Sequence, residues 1–163
     1  DAEQLDRDIA ERQHMPLAFI QHSHDPLGAQ ALILALLLAK PPVLRHAQLA
    51  VIAGTGINGL ELLVHTLQPD VHAMGVAHRL PLLNLCLPAL KTMSAAQYRV
   101  FKNTLLQLIQ SDKQTELHEW CLFQMVRYYL DPEFVATKPN RPRYLTLQPV
   151  MLAVQTVLSL LAH

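Results

Sequence analysis

Three carboxylates come closest to forming a site: Asp112, Glu116 and Glu119. Glu116 and Glu119 are three apart and share one face of a helix, with Asp112 preceding it in a loop. Oxygen ligands of this kind suit Mg²⁺ or Ca²⁺. Acids also gather at helix N-termini for the dipole alone, and the stretch expected to face them supplies Arg99 and Lys102 rather than a fourth carboxylate. A plain helix start is the reading preferred, with the three acids standing as the candidate metal ligands.

The other candidates fail on spacing. His118-Glu119 begins like a zinc-peptidase helix, which needs a second His four residues after the first so that both grip one metal from the same face. Position 122 is Leu. His22, His24 and Asp25, with His14 nearby, form a small polar cluster, but residues two apart on a helix do not face each other, so a solvated helix end is expected. Gly54-Thr55-Gly56-Ile57-Asn58-Gly59 matches a dinucleotide-binding pattern, and Leu49 to Ala53 before it could pass for a strand. That motif needs a βαβ unit and an acid about 20 residues on. Neither is apparent, so a glycine-rich turn between helices is expected. Ser94 reads as a helix cap, not a nucleophile. Lys138, Arg141 and Arg143 form a basic loop that could touch anionic headgroups but reads as a solvated loop. No complete catalytic centre is expected in this chain, and no cofactor.

Those residues need a scaffold, and the composition describes one. The 163 residues fit a single domain, with 51% hydrophobic and 16% charged residues. Lys plus Arg equals Asp plus Glu at 13 each, so no overall field draws in nucleic acid. Much apolar surface with balanced charge points to a domain that docks against protein. Cys86 and Cys121 sit in apolar stretches and read as buried thiols, mildly favouring a reducing compartment. The longest apolar run, Ala31 to Ala39, is short of the ~20 residues that span a bilayer. No signal peptide is visible. The chain opens on Asp1 and stops at His163 inside an apolar pattern, so it is expected to be a piece of a longer protein.

Helical signals recur throughout. Leu5 and Ile9 mark a short helix ending before Pro16. Asp25-Pro26 starts a helix that should run to about Lys40, stop at Pro41-Pro42, and be central because it is apolar nearly all round. Further helices are expected over Val43–Ala53, Glu61–Leu67, Val71–Ala77 and Leu80–Leu90, the last kinked at Pro88. Ser94-Ala95-Ala96-Gln97 is a capping box. It opens a helix to about Gln110, and a second from Glu116 to Leu130 should present Leu117, Trp120, Cys121, Met125 and Tyr128 inward. The two form an antiparallel pair near 94–130. Asp131-Pro132 should start a new turn, 135–148 a loop, and Val150–Ala162 a final apolar helix covered by the bundle or by a second copy. The fold class is therefore all-α, a bundle of about seven to nine helices.

Three segments together resemble a known family: Asp25-Pro26-Leu27-Gly28-Ala29 into Leu32–Leu38; Arg79-Leu80-Pro81-Leu82-Leu83 through Pro88-Ala89-Leu90; and Tyr98 to Trp120. The combination resembles the C-terminal helical region of bacterial membrane-bound zinc metallopeptidases of the HtpX-like type, over about Pro16 to Phe134. The resemblance implies a non-catalytic C-terminal accessory domain for docking, substrate handling or regulation. Zinc would be held by an earlier catalytic domain. The partners would be other domains of that peptidase, other proteins, or a second copy in a homo-oligomer. It also implies a soluble domain on the cytoplasmic side of a bacterial inner-membrane protein. Tyr98 to Met125 is similar, in addition, to the helix pair of tellurite-resistance TerB-like domains. There, acids at the corresponding turn bind divalent metal, which implies Asp112, Glu116 and Glu119, although Lys113 stands where that family has Gly.

Overall fold

The structure is a computed structural model that describes residues 1–114 and 116–134. Among the described residues there are eight α-helices and no strand: α1 (Ala2–Gln13), α2 (Leu17–Ser23), α3 (Pro26–Leu37), α4 (Pro42–Ala53), α5 (Leu60–Ala73), α6 (Arg79–Leu90), α7 (Ala95–Ser111) and α8 (Leu117–Phe134), with one 3-10 turn at Val76–His78. The expected segments at 135–148 and 150–162 lie outside the described residues.

Helix α3 is the axis of the bundle. Its start is written locally: the Asp25 carboxylate accepts the Gly28 N–H at 3.0 Å and Pro26 occupies the first turn. Gly28 is obligatory for packing, because a Cβ there would lie 2.3 Å from the His22 carbonyl oxygen of α2. Every residue from Gly28 to Leu37 is buried, and α2, α5, α6 and α7 all pack against the helix. It ends at Leu37 rather than near Lys40. Leu38 turns extended, the paired prolines disfavour helix in the residues before them, and the Ala39 N–H is taken by the Gln48 side chain at 2.7 Å instead of an α3 carbonyl.

Two expected breaks are absent. Glu61–Leu67 and the first part of the expected Val71–Ala77 helix are one helix, α5, which is continuous through Pro69 and ends at Ala73; Val76 and Ala77 fall in the 3-10 turn. Proline removes one backbone bond, yet Leu67, Gln68 and Val71 around it are buried, and the packing of α5 on α3 outweighs the local preference. Likewise α8 continues through Pro132 to Phe134, whose ring stacks on Tyr98 at 4.4 Å. Pro88 also lies inside a helix, α6.

The capping box is formed as expected: Gln97 N–H to Ser94 Oγ at 3.1 Å and Ser94 N–H to Gln97 Oε1 at 2.8 Å. Antiparallel pairing of α7 and α8 follows from who meets whom. Tyr98 and Lys102, early in α7, both donate to Asp131 Oδ1, late in α8, the lysine at 3.0 Å. Lys102 is therefore at the opposite end of the pair from the acidic turn. The inner face of α8 also differs from expectation. Cys121, Leu122, Phe123, Met125, Val126 and Leu130 are buried, while Leu117 and Trp120 remain 56% and 44% exposed. Among the described residues no single helix is long and apolar enough to cross a membrane; α5 and Val76–Leu90 match only as a pair, bent by 114°.

One buried amide joins three elements. Gln48 of α4, 1% exposed, accepts from Ala39 and donates to the Leu108 carbonyl and to Ser111 Oγ, each at 3.2 Å, at the end of α7. Gln48→Leu would leave the Ala39 N–H without its partner, and the expected loss is about 1–3 kcal/mol of stability, read as a lower urea midpoint with an unchanged slope. A midpoint equal to that of the wild type would show that the amide does not hold α4 to α7.

Candidate functional site

The turn between α7 and α8 gathers the charged residues. Asp112 caps the end of α7, and its Oδ1 accepts the Gln114 N–H at 2.9 Å. Glu116 stands directly before α8. Its N–H donates to Glu119 Oε2 at 3.1 Å, the return half of a capping box in which the third helical residue satisfies an orphan amide. Glu116 Oε2 lies 2.9 Å from His118 Nδ1, so the imidazole donates to the carboxylate. Behind them stands Arg79, the first residue of α6, close enough to act on His118, Glu116 and Glu119 together.

Burial sets the protonation states. His118 is half-buried, and desolvation with the Arg79 charge lowers its pKa to about 4 despite Glu116. The ring is neutral at pH 7. Glu119 is pushed up by burial and by the Glu116 and Asp112 charges, against the Glu116 N–H and Arg79. Burial lowers the Arg79 value, partly offset by Glu116 and Glu119.

The three acids proposed as metal ligands are thus neighbours, with one oxygen each of Glu116 and Glu119 and Asp112 Oδ1 already in internal hydrogen bonds. Among the described residues no three His, Cys, Asp or Glu side chains converge to hold an ion. His118 has Leu122 where a second histidine would stand, and Leu122 is buried; this donor set does not fit zinc. The histidine cluster near the N-terminus disperses. His24 Nε2 pairs with Asp6 at 3.0 Å, His14 ends α1 in a left-handed conformation at φ 50°, and His22 contributes its carbonyl to the α2–α3 contact. The glycine motif is a turn from helix to helix: Leu49–Ala53 lies in α4, Gly56 and Gly59 have φ of 71° and 81°, and Leu60 opens α5. Cys86 and Cys121 are free and buried, and burial raises both thiols. An open groove of about 410 Å³ beside α6 is lined by Gln13, Pro81, Asn84 and Leu85, none of them titratable.

Sequence reasoning missed His72. Its Nε2 donates to the Ala35 carbonyl, one of the last in α3, at 3.0 Å, and its Nδ1 lies 3.0 Å from the Gln68 amide nitrogen. Both ring nitrogens are in use, and the ring is neutral. Burial lowers its pKa; the Ala35 bond opposes this, while Arg79, Lys40 and Arg45 add to it. No sequence signal marks this residue beyond its place in the last turn of α5. Arg79 and His118 converge only through the packing of α6 against α8. The acids at 116 and 119 did read as a helix start, and α8 begins there, with the bond from the Glu116 N–H to Glu119 as the part not foreseen.

Compared with protein-family models, curated proteins and solved structures, the chain matches none.

His72 and His118 should make the fold acid-sensitive. Both pKa values are lower in the folded chain than the ordinary 6.5. Their neutral forms therefore stabilise the fold fully above pH 6.5, and that contribution is lost as pH falls toward the folded value, about 4 for His118. The urea midpoint should drop between pH 7 and pH 4.5, and His72→Gln with His118→Gln should flatten that slope. An equal slope in the double variant would assign the acid sensitivity to other groups.

Proposed function

We propose that this chain is a non-catalytic accessory module, C-terminal in a membrane-bound zinc metallopeptidase of the HtpX-like type, that works by docking. The observation that carries the reading is that the three segments bearing the resemblance are not scattered pieces. They fold as α3, α6 and the α7–α8 pair, in one mutually packed core. The half-exposed Trp120 and Leu117 at the start of α8 support a docking role, since aromatic anchors dominate protein interfaces. In this reading zinc is held by an earlier domain, the parent lies in a bacterial inner membrane with this module on the cytoplasmic side, and its partners are other domains of the parent, its substrates, or a second copy.

The chain alone should carry no stoichiometric zinc and should not cleave casein. The argument is one of ligand geometry: peptide hydrolysis by zinc needs three protein ligands, an open position and a base, and His118-Glu119 with Leu122 offers one ligand and one base. Deleting these residues from the full-length protein should leave zinc content unchanged while altering which substrates are cut or how fast. Zinc bound one-to-one by the chain, with casein cleavage abolished in His118→Ala, would refute the reading.

A second reading, a TerB-like metal-binding or stress-sensing module, is favoured by one observation: an antiparallel helix pair with Asp112, Glu116 and Glu119 at its turn. The internal bonds of these carboxylates weigh against it, because Ca²⁺ seeks six to eight oxygens. Calorimetry with Mg²⁺ and Ca²⁺ is expected to show no site of micromolar affinity. Such a site, lost in Glu116→Ala, would favour this second reading.

A further inference from the structure

Helix α6 is nearly as apolar as α3 but less enclosed. Between Leu80 and Leu90 its only polar residue is Asn84. A helix apolar on all sides is one that other elements surround, as they surround α3 from Gly28 to Leu37. In α6 Leu82, Leu83, Cys86 and Leu90 are buried. Asn84 and Pro88 are exposed, however, and Leu80, Pro81 and Leu85 only half-buried. Pro81, Leu85 and Pro88 follow one another at helical spacing, so they form one outward stripe. The open groove of about 410 Å³ lies on it, lined by Pro81, Asn84, Leu85 and Gln13. Gln13 Oε1 is buried and accepts no hydrogen bond among the described residues.

We propose that residues 150–162 of this chain cover that stripe and fill its groove. The place where the described chain ends carries the argument. Helices α6 and α8 run in the same direction. Arg79, which opens α6, acts on Glu116 and Glu119 at the start of α8, and Lys91, just past α6, pairs with Glu133 near the end of α8 at 3.8 Å. The chain therefore leaves α8 at Phe134 beside the last turn of α6. From Leu90 back to Pro81 is about 14 Å of helix, and a connection as long as 135–149 can reach up to about 50 Å. Residues 150–162 carry no charged side chain, as an apolar stripe requires. Their polar members, Gln155, Thr156 and Ser159, can donate to Gln13 without bringing a charge. The segment is short of the roughly 20 residues that cross a bilayer. Its tether supplies an effective concentration on the order of millimolar, which favours the chain's own segment over a second copy. The inference goes beyond the accessory reading and does not depend on it.

The test uses the full chain carrying Asn84→Cys, alkylated with iodoacetamide. Cys86 and Cys121 are buried with raised thiols and react slowly. Adding Val154→Asp and Leu158→Asp places two charges in the covering segment. They should speed alkylation at position 84 at least about tenfold, because a carboxylate is not accepted against an apolar stripe, with helical circular dichroism unchanged. Without the aspartates the rate should not depend on protein concentration, since the cover is part of the same chain. An equal rate with and without the aspartates overturns the proposal. Protection that grows with protein concentration also overturns it, by making a second copy the cover. Should the aspartates unfold the chain, a second measurement decides, with a photoreactive benzophenone amino acid in place of Asn84 and the products read by mass spectrometry. Crosslinks to residues 150–162 of the same chain uphold the proposal; crosslinks to another chain, or none to that segment, overturn it.

Discussion

Helix α3 has no polar side to give to water. From Gly28 to Leu37 every residue is buried, and a helix of that kind is stable only when other elements enclose it. The rest of the bundle follows from this requirement. Helix α2 closes one side through the backbone contact at Gly28, and α5, α6 and α7 supply the others. Helices α4 and α8 are then second-layer elements, set by α5 and by α6 and α7. The acidic turn and the Trp120 face lie on α8 and its approach, at the periphery that the core leaves over.

Apolar burial alone is not directional. What fixes the helices against one another is a small set of polar posts. Gln48 ties the exit from α3 to the end of α7, and His72 ties the end of α5 to an orphan carbonyl of α3. Asp131 gathers Tyr98, Lys102 and Arg127, so that the start of α7 meets the end of α8. Burial opposes its charge, but the hydrogen bonds from Tyr98 and Lys102 hold its pKa below the usual carboxylate value. Each post satisfies several groups at once, which is how buried polar side chains specify geometry instead of weakening a core.

Sequence reading succeeded where the cause is local. Asp25-Pro26 and Ser94-Ala95-Ala96-Gln97 are complete instructions within four residues, and the all-round apolar pattern of α3 states its central place. It failed where the cause is tertiary. Pro69 and Pro132 read as breaks because the packing that carries α5 and α8 through them comes from other helices. Leu117 and Trp120 read as inward because they are apolar, while the orientation of α8 is set by Cys121, Leu122, Met125, Val126 and Leu130 deeper in the helix. The candidate site was half legible for the same reason. Its three acids are close in sequence, but Arg79, which shapes their electrostatics together with His118, arrives from α6.

Helix α1 stands apart from all of this. It has no buried residue, and of the other helices it packs chiefly on α2. Ile9 and Ala10 pack against the core only partly buried, and the polar tie joins a partly buried Asp6 to an exposed His24, a kind of solvent-reached pair that contributes little. An element with so few apolar contacts opens without opening the rest. Its backbone amides should then exchange with solvent by fraying alone, while those of α3 wait for the whole core to part. The cooperative unit of this domain therefore begins near Met15, the first residue that is buried.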